Sequence, residues 1–115
     1  MLIRPIQESE RPGLWKVMQH AVRAGETLAV PTNATPDEAV NWWAGGKEAV
    51  FVADDGGQIL GSYYLRPNQA GNASHIVNAG YVVAESARGR GLASALCRHS
   101  LEEARRRGYL AMQFN

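Results

Sequence analysis

The segment Tyr81-Val82-Val83-Ala84-Glu85-Ser86-Ala87-Arg88-Gly89-Arg90-Gly91-Leu92-Ala93-Ser94 passes from a β-branched run through a glycine-rich turn into a helical pattern. That order builds an anion site. The glycines let the backbone adopt left-handed angles and approach a ligand closely, and the helix presents unpaired N–H groups and the positive end of its dipole. A pyrophosphate fits such a turn.

The rest of the chain alternates strands and helices, an α/β (α+β) pattern for one domain over residues 1–115. Leu2 to Ile6 alternates as a first strand. Ser9 precedes a helix with Pro12 in its first turn and Leu14, Trp15, Val17, Met18, Ala21 and Val22 on one side. After a loop from Gly25, Thr35 caps and Pro36 opens a short helix carrying Trp42 and Trp43, which Gly45 and Gly46 end. Ala49 to Ala53 and Gln58 to Arg66 form a hairpin across Asp54-Asp55-Gly56-Gly57. Asn68 to Ser74 reads as a loop and His75 to Val83 as a further strand. Leu92 to Arg107 reads as a helix with Ala93, Leu96, Cys97, Ser100, Leu101 and Ala104 on its apolar face, stopped by Gly108. Tyr109 to Asn115 is one more strand.

Arg88-Gly89-Arg90-Gly91-Leu92-Ala93 resembles the Arg/Gln-x-x-Gly-x-Gly/Ala motif with which the GNAT superfamily of N-acetyltransferases holds the pyrophosphate of acetyl-CoA. The order of elements is similar to that fold along the whole chain. Gly61-Ser62-Tyr63-Tyr64, Arg66-Pro67-Asn68 and Asn78-Ala79-Gly80-Tyr81-Val82-Val83 further resemble a subgroup that includes acetyltransferases of small imino acids such as proline analogues. Other phosphate motifs fit less well. Gly89-x-Gly91-x-x-Ser94 lacks the third glycine of a dinucleotide fingerprint, and the Walker A lysine is missing.

The resemblance implies a GNAT-like mixed central sheet flanked by helices, and direct transfer from acetyl-CoA to the amine of a small molecule or amino acid, held between two adjacent parallel strands. Backbone groups of Tyr81, Val82 and Val83 would pair with the pantetheine arm, and Arg88, Gly89, Arg90, Gly91, Leu92, Ala93 and Ser94 would hold the pyrophosphate. Asn78 is the catalytic and substrate-binding position, and Asn115 the second substrate-binding one. Asn78 could equally make an ordinary strand or turn hydrogen bond. The reaction needs positioning, oxyanion stabilisation and proton removal, yet the strand His75 to Val83 has no carboxylate to act as base. Catalysis is then expected to rest on water or on an already neutral amine.

The remaining features carry less chemistry. Twelve Lys and Arg against 11 Asp and Glu give a net charge of +1, so neither nucleic acid nor membrane is an expected partner. Arg105-Arg106-Arg107 complements a helix dipole and is expected to be solvated. His20, His75 and His99 show no metal-ligand spacing, and no metal is expected. The single Cys97 excludes an intrachain disulfide and reads as a core residue. The tryptophans either wall the acceptor pocket or pack the helix, and Glu26 and Thr27 border the acceptor site or merely polarise a loop.

Family members continue after this strand through a helix and two more strands, so the chain reads as truncated in or after its fifth strand. An edge and an apolar surface would then be left open, for which a homodimer is the expected remedy. A cytoplasmic location is expected. A non-catalytic CoA-binding remnant and a purely structural dimer stand as alternatives.

Overall fold

The computed structural model describes residues 1–25, 30–68 and 75–114. Along them run β1 (Leu2–Pro5), α1 (Arg11–Ala24), α2 (Pro36–Ala44), β2 (Ala49–Asp55), β3 (Gln58–Pro67), β4 (Ile76–Val83), α3 (Leu92–Arg106) and β5 (Ala111–Phe114). The strands form one sheet in chain order, antiparallel from β1 to β4 and parallel between β4 and β5. A parallel neighbour requires a crossover, and α3 supplies it. The expected mixed sheet flanked by helices is present.

Strand alternation sorts the side chains onto two faces. Ser62 and Tyr64 of β3 meet α2: the buried Trp43 Nε1–H donates to Ser62 Oγ at 3.0 Å, and the Trp43 and Tyr64 rings meet edge-on at 4.8 Å. Leu14, Val17, Met18, Ala21 and Val22 of α1 are buried against the same layer. Tyr63 and Tyr81 point the other way, onto His99 and Ser100 of α3. The tryptophan pair therefore divides. Trp43 enters the core, while Trp42 stays half-buried at its border.

The element starts follow from local chemistry. Thr35 Oγ1 accepts the Glu38 N–H at 3.1 Å and the Glu38 carboxylate accepts the Thr35 N–H at 2.8 Å, a reciprocal cap ahead of Pro36. Before α1, residues Glu8–Glu10 make a 3₁₀ turn that the sequence pattern does not announce. The hairpin is tighter than expected. Asp54 and Asp55 pair within β2 across a register shift, and only Gly56 and Gly57 turn, both at positive φ.

Several boundaries and faces differ from expectation. The fourth strand begins at Ile76 and the fifth at Ala111, because His75 and Leu110 spend their backbone groups on the connection Leu110 N–H to His75 O. On α3 the buried positions are Leu92, Leu96, Ser100, Glu103 and Ala104. Ala93 and Leu101 face solvent instead, and Cys97 is half-buried at the margin rather than in the core. The apolar stripe is rotated because Glu103 occupies a buried site. Leu101, Leu110 and Phe114 are exposed apolar groups on this side of the molecule.

Glu103 is buried because two arginines satisfy it. Arg107 Nε donates to its carboxylate at 2.7 Å, and Arg106 donates to the other oxygen. Arg107 also reaches Glu48 of the preceding sheet layer at 3.0 Å, so the expectation that this cluster is merely solvated is corrected for Arg106 and Arg107. Burial alone would raise the Glu103 pKa, but the two arginine hydrogen bonds outweigh it and hold the carboxyl below its ordinary range. Glu10 is also held low, by its hydrogen bonds from Arg4, which in turn ties it to Asp54 at 3.0 Å. Depressed carboxylate pKa values add stability that is complete above the unfolded value and is lost as pH falls through the folded one. The urea midpoint is therefore expected to hold near neutral pH and to fall below about pH 4.5. A midpoint flat down to pH 3 would contradict these pairings.

Candidate active site

Among the described α-helices, α3 alone is entered through a glycine N-cap in the left-handed region. Gly89 lies at φ 80° and Gly91, the N-cap, at φ 75° and ψ 10°, so both occupy the left-handed region where a Cβ is strained. With no side chain at the cap, α3 has no side-chain capping hydrogen bond, in contrast to Thr35 on α2. The first N–H groups of a helix have no acceptor within it, and here the Ala95 N–H to Gly91 O bond, at 3.1 Å, opens the ladder. The N–H groups of Leu92, Ala93 and Ser94 precede that first bond of the ladder.

These three residues line a cavity of about 310 Å³. Its wall runs from Tyr81, Val82 and Val83 through Ala87, Arg88, Gly89 and Gly91 to Leu92, Ala93 and Ser94, with Ala21 of α1 opposite. All the residues expected to hold cofactor are brought together here except Arg90. The Arg90 guanidinium turns away toward the β2–β3 turn, 3.7 Å from the Asp55 carboxylate.

β4 supplies the second half of the groove. Its pairing with β5 runs from Ile76 opposite Ala111 to Ala79 opposite Phe114, while its pairing with β3 continues to Val83 opposite Gly61. Among the described residues, the outer edge of Gly80–Val83 therefore has no strand beside it. An extended ligand can hydrogen-bond to that edge as an added strand would.

Asn78 lies one turn of the pleat before this edge, on the face of α1 and α2. Its Oδ1 is buried and has no hydrogen-bond partner among the described residues. Arg66 of β3 and Gln113 of β5 flank it in register, making one row across three strands. Gly80 beside it must be glycine, because a Cβ there would come within 2.5 Å of the Tyr64 ring. Lys47 lies over the rings of Trp42 and Tyr64, at 4.8 and 4.9 Å, and donates to Trp42 O at 2.7 Å. Burial, with Arg66 nearby, pushes its pKa down. Asn115, Glu26 and Thr27 lie outside the described residues.

The opposite face carries a second polar layer. The Tyr81 hydroxyl and Ser100 Oγ are 2.6 Å apart, and Ser100 donates to Cys97 O at 2.7 Å. Burial pushes the Tyr81 phenol up to about 12, against the opposing Ser100 bond, so it is a neutral group at physiological pH. Burial also raises the Tyr63 phenol, which meets His99 Nδ1 at 2.7 Å. No carboxylate lines the cavity among the described residues. His20 Nδ1 of α1 meets the exposed Glu85 carboxylate, after β4, at 2.9 Å. Arg66 and Gln113 become neighbours of Asn78 only through the sheet register, which no single strand announces.

A parallel β4–β5 pair beside a glycine-led helix N-terminus is the architecture of the acetyltransferase fold. The chain belongs to the acetyltransferase (GNAT) family, whose pattern matches residues 14–114. It is similar to a GCN5-related N-acetyltransferase structure from Kribbella flavida, with 35% identity and a TM-score of 0.87 over 99% of this chain and 70% of that one. It is also 39% identical over 57 residues to the N-acetyltransferase aca1 of Schizosaccharomyces pombe, covering 50% of this chain but only 27% of that protein's length. The fold further resembles yncA from Salmonella typhimurium, a structure containing its cofactor acetyl-CoA, at 21% identity and a TM-score of 0.80 over 99% of this chain and 68% of that one. No helix among the described residues is long and apolar enough to cross a membrane.

Proposed function

We propose that the protein transfers an acetyl group from acetyl-CoA to the amine of a small molecule or amino acid. The observation that carries this reading is the cavity of about 310 Å³ that joins the uncapped α3 N-terminus to the open edge of β4. Bound acetyl-CoA would supply an activated thioester carbonyl. The N–H groups of the Arg88–Ser94 turn hold its pyrophosphate, and the edge of Tyr81, Val82 and Val83 pairs with its pantetheine arm and offers an N–H to the developing oxyanion. Asn78 Oδ1 accepts an N–H from the acceptor and so orients the nitrogen lone pair. The amine nitrogen adds to the thioester carbonyl, the C–S bond breaks as the oxyanion collapses and CoA leaves as thiolate, and the nitrogen's proton leaves to water, since asparagine cannot take it and no carboxylate lines the cavity among the described residues. The likeness of Asn78 and its neighbours to imino acid acetyltransferases points the same way.

This chain is expected to release CoA from acetyl-CoA only when an amine is supplied. Asn78→Ala should lower kcat/KM for the amine by about tenfold or more, as loss of a buried hydrogen-bond acceptor to substrate does, with acetyl-CoA affinity unchanged. Amine-independent release, or an unaffected Asn78→Ala variant, would refute the assignment of Asn78. Tight CoA binding with no acetylation of any amine would favour a non-catalytic CoA-binding domain.

A further inference from the structure

We propose that Arg66 recognises a negatively charged group on the acceptor, so that the preferred acceptor is an amine that also carries a carboxylate or similar anion. The proposal rests on the acetyltransferase reading and adds the chemical class of the second substrate. Arg66 lies directly opposite Asn78 in the antiparallel β3–β4 register, and directly opposed residues share a face with their Cβ atoms about 5 Å apart. The side chain that would orient the amine and the cation are therefore neighbours.

The electrostatics of this corner call for an anion. Arg66 lies close enough to Lys47 for its charge to depress the ammonium, which is already desolvated against the rings of Trp42 and Tyr64. Arg66 thus feels a like charge from Lys47 and lies opposite Asn78, whose buried amide oxygen has no partner among the described residues. The hydrogen bonds of Lys47 go to the main-chain oxygens of Trp42 and Gly45, and no described carboxylate forms an ion pair with either cation. Glu48, the neighbouring acid, is bound to Arg107 and Tyr109 on the other face of the sheet.

A solvated surface arginine would account for the exposure of Arg66 alone. It does not account for a cation set opposite an orphaned buried acceptor and against a second cation. An acceptor with its amine on Asn78 Oδ1 and its anionic group on the Arg66 guanidinium satisfies both groups at once, with charge-assisted hydrogen bonds at the arginine that offset its repulsion of Lys47. A polyamine would be repelled from the same place.

The test compares amino acids with their own α-amides as acceptors, for example L-proline against L-prolinamide and L-alanine against L-alaninamide, in the full chain with saturating acetyl-CoA. The amide's amine is the less basic and so reacts more readily without recognition, which makes a preference for the acid informative. The wild type is expected to favour the acid. Arg66→Gln should raise KM for the acid by about tenfold or more with kcat little changed, leave the amide unaffected, and be partly rescued in Arg66→Lys. Arg66 is exposed, so the variants should unfold at the wild-type urea concentration. Equal use of acid and amide, or equal losses on both in Arg66→Gln, would overturn the anion site and leave the acetyltransferase reading standing. Acetylation of no acceptor would overturn that reading and this inference with it.

Discussion

Gly91→Val is expected to weaken acetyl-CoA binding by about a hundredfold or more while leaving a folded protein. The two effects separate for physical reasons. A Cβ at Gly91 meets no described atom within 4 Å, so the fold suffers no clash, only the strain of a β-branched residue at φ 75°, about 1–2 kcal/mol. The proposed pyrophosphate contact, however, uses the backbone N–H groups of this left-handed turn, which borders the cavity. Relaxing the strain rotates them away, and two lost charge-assisted hydrogen bonds of about 1.5–3 kcal/mol each exceed the 2.8 kcal/mol of a hundredfold change. Gly108→Val is the matched control. Gly108 has φ 90° and equally open surroundings, but sits past the other end of α3. Calorimetric titration of both variants should show binding lost in the first alone, and equal losses would mean that strain rather than ligand contact is being measured.

Trp43→Ala is expected to cost about 3–5 kcal/mol, a large part of the stability of a domain this size. Trp43 is 1% exposed and among the largest fully buried side chains. Its loss opens a cavity against Tyr64 and removes the donor to Ser62 Oγ, whose hydroxyl still donates to Phe51 O at 2.7 Å. Trp42→Ala removes a half-buried ring at the border and should cost clearly less. Urea unfolding of the two variants measures the difference. A ranking in the opposite order would contradict the division of the pair between core and border.

The main elements of the fold could be read from the sequence because their signals are local. The Thr35-Pro36 start of α2 with its Glu38, the glycine turn before α3 and the β-branched end of β4 each depend on residues within a few positions. The glycine turn on which the proposed anion site rests is legible for the same reason: Gly89 and Gly91, both at positive φ ahead of α3, form a contiguous motif. What could not be read depends on register. The row of Arg66, Asn78 and Gln113 joins three strands, and nothing within any one strand announces it. The burial of Glu103 is likewise decided by Arg106 and Arg107 folding back upon it, against the ordinary expectation that a charge in an amphipathic helix faces water. The apolar stripe of α3 was misaligned on Ala93 and Leu101 as a consequence. Arg90 shows the limit of a motif: its backbone belongs to the turn, but its side chain goes to Asp55.

The most direct test of the central claim is calorimetric titration of this chain with desulfo-CoA, which carries the pyrophosphate and pantetheine but no reactive sulfur. The account predicts saturable binding at one site, lost in Gly91→Val and retained in Gly108→Val. A well-folded chain that takes up no desulfo-CoA would contradict it.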